Sequence, residues 1–189
     1  MTTDSATGRR AATPVGREEV SAAILAAAAE LFAERGPAAT SIRDIAARAK
    51  VNHGLVFRHF GAKDRLVGAV LDHLGGELTV LLEAGAPADQ VEPVADRQLR
   101  VMARALLDGY PVGQLQSRFP AIERLLDQQR FRHDEPTARL AVANAVALQL
   151  GWWLFEPFLR SAAGLEKLTG DELRAEVAAQ LERISGPPS

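Results

Sequence analysis

The feature that most constrains the fold is a pair of very short helical segments joined by a tight turn. Apolar spacing predicts one helix over residues 42–48 and a second over 53–59, with only a few residues between them. Ser41 and Asp44 have the spacing of a capping box at the first helix, and Asn52 can cap the second. Because such short helices bury little area alone, they need longer neighbours, and their spacing is that of a helix-turn-helix.

Longer helices predicted on both sides supply that support. Helical spacing of apolar residues extends over residues 17–35, where Gly36 and Pro37 end the helix, and resumes from Lys63. The remaining predicted helices span residues 91–108, 119–131, 137–163 and 171–184, after a loop at 85–89. Alanine and leucine, which favour helices, dominate the composition, and no stretch alternates as a strand does. The sequence therefore predicts an all-α fold of eight or nine helices.

The sequence lacks the residues that several other classes of protein require. It has no cysteine, so disulfides, thiolate metal sites and cysteine nucleophiles are excluded. His133, Asp134 and Glu135 precede Pro136 at a predicted helix start, where capping explains them better than a metal ion does. We find no nucleophile–base pair, no metal-ligand spacing and no glycine-rich phosphate loop, and therefore predict neither an enzyme nor a bound cofactor.

We expect a cytoplasmic protein that does not enter a membrane. Residues 1–16 contain charges and no apolar stretch, so they lack the features of a secretory signal and are interpreted as a flexible arm. The longest apolar run, residues 140–155, is shorter than the roughly 20 residues that span a bilayer. We interpret it as part of a helix buried on all sides, with a kink or break expected just before Pro157.

The charge distribution distinguishes the helix-turn-helix region from the rest of the chain. Residues 40–65 contain six basic and two acidic side chains, although the whole chain has a net charge of -2. A compact basic segment on an acidic body is typical of a surface that binds a polyanion. From spacing and charge alone, a helical hairpin with a solvated basic face fits as well as a DNA-binding unit.

Four spaced sequence blocks resemble the tetracycline-repressor (TetR/AcrR) family of bacterial transcriptional regulators. The blocks are ILAAAAELFAERG at 24–36, TSIRDIA at 40–46, VNHGLVFRHF at 51–60 and KDRL at 63–66. The resemblance implies a DNA-binding domain over residues 17–70 and a helical effector-binding and dimerisation domain over 71–189. It also implies a function: a dimeric repressor that a small effector releases from a palindromic operator on double-stranded DNA.

The resemblance, together with side-chain chemistry, suggests which residues contact DNA. His53, Gly54 and Leu55 would enter the major groove, where an imidazole can bind base edges and leucine can touch a thymine methyl. Lys63 would bind phosphate together with the free amides at a helix start. The full predicted set is Thr40, Ser41, Arg43, Asn52, His53, Gly54, Leu55, Phe57, Arg58, His59 and Lys63.

Two positions depart from the family pattern. Phe57 stands where the family mostly has tyrosine, so a phenol that would bind phosphate is missing. Ala62 stands where a small hydroxyl residue usually caps the next helix, so that cap is lost or passes to Gly61. Nearby cations that can compensate by releasing counterions are Arg9, Arg10, Arg17 and Arg58.

The second half of the chain resembles the family only in being helical and of typical length. Its helix over 138–155 is apolar nearly all round, so it must be covered by its own core on one side and a second copy on the other. The last helix, apolar along Leu173, Val177 and Leu181, can complete a four-helix interface, as the resemblance also implies. The alternative is a helix covered within a large monomeric core.

A small apolar or amphipathic effector is the second partner that we predict. The residues proposed for its site are Tyr110, Phe119, Asn144, Leu148, Trp152 and Trp153. Adjacent tryptophans project about 100° apart on a helix, so only one of them can face an interior cavity. Aromatic residues at helical spacing are equally typical of a core. The alternatives are a ligandless or architectural DNA-binding protein controlled by its concentration and, less well supported, an enzyme with an all-α pocket.

Overall fold

The computed structural model describes residue 14 and residues 16–185, and this part of the chain contains nine α-helices and no strand. The helices are α1 (Arg17–Arg35), α2 (Ile42–Ala49), α3 (His53–Phe60), α4 (Lys63–Glu83), α5 (Ala88–Leu107), α6 (Val112–Leu115), α7 (Pro120–Arg130), α8 (Glu135–Ala163) and α9 (Gly170–Ser185). The predicted all-α fold is confirmed. Apart from residues 14 and 16, the predicted N-terminal arm lies outside the described residues.

Most predicted helix boundaries agree with the structure, and side-chain caps mark the starts of α2, α3 and α8. Asp134 accepts a hydrogen bond from the Thr137 N–H at 3.0 Å and caps α8, as predicted, whereas Glu135 pairs with Arg130 and Arg139. Three differences remain. The four-residue helix α6 was not predicted, α5 begins at Ala88 inside the predicted loop, and α8 continues as one helix through Pro157, where a kink or break is expected.

The described chain divides into two compact units between Arg118 and Phe119. In the first unit, α1 packs against α2, α4 and α5, and α3 rests on α1, α2 and α4. Fully buried side chains that join these helices are Ile24, Phe32, Ile45, Val56, Leu66, Val70, Leu74 and Val101. The first unit therefore holds the two short helices in a larger core. The proposed functional boundary near residue 70 remains a prediction.

The second unit consists of α7, α8 and α9, with α8 packed against both others. The buried side of α8 uses small residues, since Ala138, Ala141 and Ala145 lie there with Val142. Phe155 and Phe158 are more than half exposed, so the expectation of burial on all sides is wrong for the described chain. Because α8 has 29 residues, it is also long and apolar enough to cross a membrane by length and composition, which corrects the length argument.

Candidate nucleic-acid interface

Two side-chain caps shape the helix-turn-helix. The Asp44 N–H donates to Ser41 Oγ at 3.1 Å, and the Ser41 N–H donates to Asp44 Oδ2 at 3.0 Å, which completes the predicted capping box. Lys50 adopts a left-handed conformation after α2, and Asn52 then accepts from the Gly54 N–H at 2.8 Å. Both predicted caps are confirmed, and both are local interactions that orient α3 relative to α2.

The inner faces of α2 and α3 anchor the pair in the first unit. Ile45 and Val56 are completely buried, and Ala46 is nearly so. Ile42 and Phe60 are partly buried and pack against the same core. Their burial fixes which side of α3 remains outside.

The outer face of α3 presents most of the side chains predicted to reach DNA. His53, Gly54 and Arg58 are exposed, and Phe57 is 70% exposed without covering anything in the described chain. Leu55 differs, because it packs partly buried against the core rather than facing outward. Its predicted contact with a thymine methyl would have to use the part of the side chain that remains accessible.

A groove of about 560 Å³ lies between the start of α1 and the side of α3. Its lining residues are Pro14, Gly16, Arg17, Val20, Leu55, Arg58 and His59. The groove brings Arg17 next to two basic residues of α3, which supports its predicted role as a compensating cation. Arg9 and Arg10, predicted to act in the same way, lie outside the described residues.

The residues at the start of α2 have different surroundings. Thr40 is 1% exposed, and its hydroxyl donates to the Gly36 carbonyl at 2.8 Å. Its side chain therefore stabilises the turn before α2, which argues against the predicted contact of Thr40 with DNA. Ser41 and Arg43 are exposed, and the described residues provide no ion pair to Arg43. A cation without an acidic partner can bind a polyanion without losing an internal contact.

Not every basic residue of this region is available for such binding. Arg48 pairs with Glu30 at 2.8 Å and Glu34 at 3.3 Å, and these hydrogen bonds raise the pKa of its guanidinium. Arg35 pairs with Asp44 at 2.8 Å. The basic count of residues 40–65 therefore overstates the cationic surface, because Arg48 joins α2 to α1 instead.

Lys63 lies half-buried at the first position of α4. Burial lowers the pKa of its ammonium group, and the charges of Asp108 and Asp64 oppose that shift. Ala62 provides no side-chain cap, as predicted, so the first amides of α4 have no side-chain partner from that residue. A phosphate placed here would meet both a cation and the positive end of a helix.

The residues predicted to bind an effector fall into both compact units. Tyr110 belongs to the first unit and packs against its core, and burial raises the pKa of its phenol. The other five belong to the second unit. Phe119, Leu148, Trp152 and Trp153 are half-buried there, and Asn144 is exposed. Their joint role as an effector site remains a prediction. The described residues contain no group of three side chains suited to hold a metal ion.

One contact of this region was missed in the sequence. The Ala38 N–H donates to Asp108 Oδ2 at 2.7 Å, across 70 residues of chain. The only signal was an aspartate at the end of a predicted helix, where the helix dipole disfavours a negative charge.

Comparisons with known proteins agree with this geometry. Residues 24–70, which include α2, α3 and the start of α4, match the model for bacterial regulatory proteins of the tetR family. The HTH-type transcriptional repressor Rv3405c of Mycobacterium tuberculosis is 68% identical over 188 residues, covering 99% of this chain and all of that protein. The HTH-type transcriptional regulator TtgR of Pseudomonas putida is 35% identical over 145 residues, covering 68% of this chain and 67% of TtgR.

A solved structure supports the fold. A TetR-family transcriptional regulator protein from Vibrio parahaemolyticus superimposes with a TM-score of 0.50 and 22% identity, covering 86% of this chain and 97% of that one. At this identity the likeness concerns the arrangement of helices alone.

Proposed function

The chain belongs to the TetR family of bacterial transcriptional regulators, and from that premise we propose that it is a homodimeric repressor of a palindromic operator. The observation that carries the proposal is the outer face of α3. It leaves His53, Gly54 and Arg58 exposed above a completely buried Val56, while Lys63 lies at the start of the next helix. This arrangement suits base contacts from α3 and phosphate contacts from its flanks. Repression is proposed because Rv3405c, which covers the whole chain, is named a repressor.

Within this interface, base reading and phosphate binding fall to different residues. His53 and Arg43 are assigned to bases, since each is exposed and neither has an ion pair among the described residues. Lys63 and Arg58 are assigned to phosphates. Each is a cation whose contact with a phosphate releases counterions, and lysine in particular acts as a compact point charge. Because the proposed partner is chromosomal DNA, a cytoplasmic location follows.

The dimer is proposed to form through the second unit. Phe155 and Phe158 of α8 are 55% and 67% exposed, and Leu140 is 63% exposed. Large apolar side chains exposed along one helix favour association, and a second copy provides the same face across a two-fold axis. Deleting residues from Thr169 onward removes α9 and should yield aggregates or monomers in light scattering. A truncated protein that stays soluble and fully dimeric would refute this assignment.

A small apolar or amphipathic effector is proposed to release the DNA. The half-buried Trp152 and Trp153 support this part, because neither is sealed in the core of the second unit. An effector acts only if it favours one arrangement of the two DNA-reading units over another. Titration of the Trp152→Phe and Trp153→Phe variants with a library of apolar compounds tests it. If no compound lowers operator affinity, a ligandless regulator controlled by its concentration is the better description.

The proposed function is tested by selecting duplexes from a random pool with the purified protein. We expect a roughly palindromic sequence with half-sites about one helical turn apart, or somewhat more. Lys63→Ala should then weaken all duplexes similarly and reduce the salt slope by about one unit. His53→Ala and Arg43→Ala should relax preference at particular base pairs. Selection of no common sequence, or a changed base preference with Lys63→Ala at unchanged salt slope, would contradict the assignment.

A further inference from the structure

The turn between α1 and α2 is held by a residue from outside the helix-turn-helix. Gly36 ends α1 with φ 82°, and the Thr40 hydroxyl closes the turn on the Gly36 carbonyl. This leaves the N–H of Ala38 directed away from the turn, where Asp108 Oδ2 accepts it at 2.7 Å. A hydrogen bond to an ionised carboxylate is stronger than one between neutral groups. Asp108, at the end of α5, is therefore hydrogen-bonded to the backbone just before α2.

A side chain at Gly36 would collide with the carboxylate of Asp108. A Cβ added at Gly36 would lie 2.8 Å from Asp108 Oδ2 and 3.6 Å from Arg104 Cβ. A contact as short as the first cannot be accommodated without moving the carboxylate. Gly36 thus serves both the positive φ and the close approach of Asp108.

Helix formation does not explain an aspartate at position 108. Asp108 follows the last residue of α5, and its own N–H donates to the Arg104 carbonyl at 2.9 Å. A carboxylate at this negative end of the helix dipole is unfavourable. The contact with Ala38 accounts for the residue, because Asp108 holds that exposed N–H in one place, where solvent would otherwise bind it.

The same carboxylate lies near the second junction of the helix-turn-helix. Its charge acts on the ammonium of Lys63, the first residue of α4, and on the phenol of Tyr110. The chain enters the helix-turn-helix through the α1–α2 turn and leaves it at the start of α4. Asp108 therefore binds the turn before α2 directly, and its charge also acts on the first residue of α4.

We propose that Asp108 is a positioning residue for DNA binding, which fixes the α1–α2 turn on the end of α5 and so sets the angle at which α3 meets the duplex. The inference rests on the proposed function of α3. In the free protein the bond holds one orientation of α2 and α3, so the entropy of ordering them need not be lost on binding. A displacement of the end of α5 is transmitted to the turn through this bond.

The test compares variants at position 108 with a matched change on the same helix. Asp108→Ala and Asp108→Leu remove the acceptor, whereas Asp108→Asn keeps an amide oxygen that can accept the Ala38 N–H. Asp96→Ala removes a carboxylate from α5 that pairs only with Arg100 in the described structure, at 2.8 Å. The duplex selected by the wild-type protein and a scrambled duplex are the two probes.

We expect Asp108→Ala and Asp108→Leu to bind the selected duplex roughly 5- to 50-fold more weakly, with little change on scrambled DNA. Asp108→Asn should stay within about threefold of the wild type, since most of the hydrogen bond survives. Asp96→Ala should match the wild type. A simple loss of stability would weaken both duplexes together, so the ratio of the two affinities is the decisive readout.

Amide hydrogen exchange provides a second readout that does not depend on DNA. The Ala38 amide should be protected in the wild type and in Asp108→Asn, and should exchange fast in Asp108→Ala. The Asp44 amide, bonded to Ser41, should stay protected in all of them.

An unprotected Ala38 amide in the wild type would overturn the proposal, as would unchanged specific affinity in Asp108→Ala with fast exchange at Ala38. Failure of both acceptor-free variants to fold would also overturn it, because the bond would then maintain the fold rather than the angle. If the wild type prefers no sequence, the proposed function fails instead, while the exchange data still report the contact.

Discussion

Replacing Gly68 by alanine tests how closely α6 approaches α4. A Cβ at this position would lie 2.9 Å from the carbonyl carbon of Leu115, closer still to its oxygen, and 3.4 Å from its Cβ. The obstacle is backbone, which cannot turn aside as a flexible side chain can. Gly76 lies two turns further along the same helix, and a Cβ there would meet nothing within 4 Å.

Both substitutions gain helix propensity, and only Gly68→Ala also introduces a steric clash. Alanine in place of glycine inside a helix stabilises by about 0.8–1 kcal/mol, and this gain applies at both positions. At Gly68 the added methyl must displace α6, and overpacking of this kind costs about 1–3 kcal/mol. We therefore expect Gly76→Ala to be more stable than the wild type and Gly68→Ala to be less stable than Gly76→Ala by about 1–3 kcal/mol.

Urea denaturation followed by circular dichroism measures this difference. For a chain of this length it corresponds to a separation in Tm of roughly 2–12 °C between the two variants. Equal stabilities of Gly68→Ala and Gly76→Ala would refute the reasoning, because the propensity gain would then be the whole effect and α6 would not lie against Gly68.

Three further predictions concern the interface and the second unit. Ser41→Ala removes the capping box of α2 and should lower the free energy of unfolding by about 0.5–2 kcal/mol, measured by urea denaturation, whereas Ser41→Asp should retain most of it. Phe57→Tyr adds an exposed phenol where a phosphate donor is missing, so titrations should show about 2- to 10-fold tighter binding to every duplex; unchanged affinity would mean that Phe57 lies away from the backbone. Arg130 and Arg139 lower the pKa of Glu135 from 4.5 to about 2, so its stabilisation is present above pH 4.5 and is lost as the pH falls toward 2. Thermal unfolding of Glu135→Gln should therefore show a weaker pH dependence across that window, and an identical profile would contradict the ion pairs.

The local structure of the interface could be predicted from the sequence because its determinants lie within a few residues of one another. Ser41 caps α2 through a residue three positions away, and Asn52 caps α3 through one two positions away. The buried Ile45 and Val56 follow the apolar spacing of the sequence, because helical periodicity decides which residues share a face. These short-range signals predict the order and bounds of α2 and α3 and most of the outer face of α3.

Periodicity predicts which residues share a helix face, but it does not show what covers that face. It placed Leu55 outward, although the start of α1 and the core partly cover it. The family resemblance predicts that Thr40 contacts DNA, although its hydroxyl is buried in the turn. The apolar run at 140–155 predicts a helix buried on all sides, although Leu140 and Phe155 are 63% and 55% exposed in the described chain.

The contact between Ala38 and Asp108 depends entirely on tertiary structure. The two residues are 70 positions apart, and neither has a neighbour in the sequence that indicates the other. Their bond exists because α1 and α5 pack against each other. This packing brings the end of α5 next to the turn that follows α1. Short-range hydrogen bonds and the spacing of apolar residues determine the helices and their caps, and the spaced sequence blocks indicate the family. The angle at which α3 is presented depends on side chains that meet only after the core has formed.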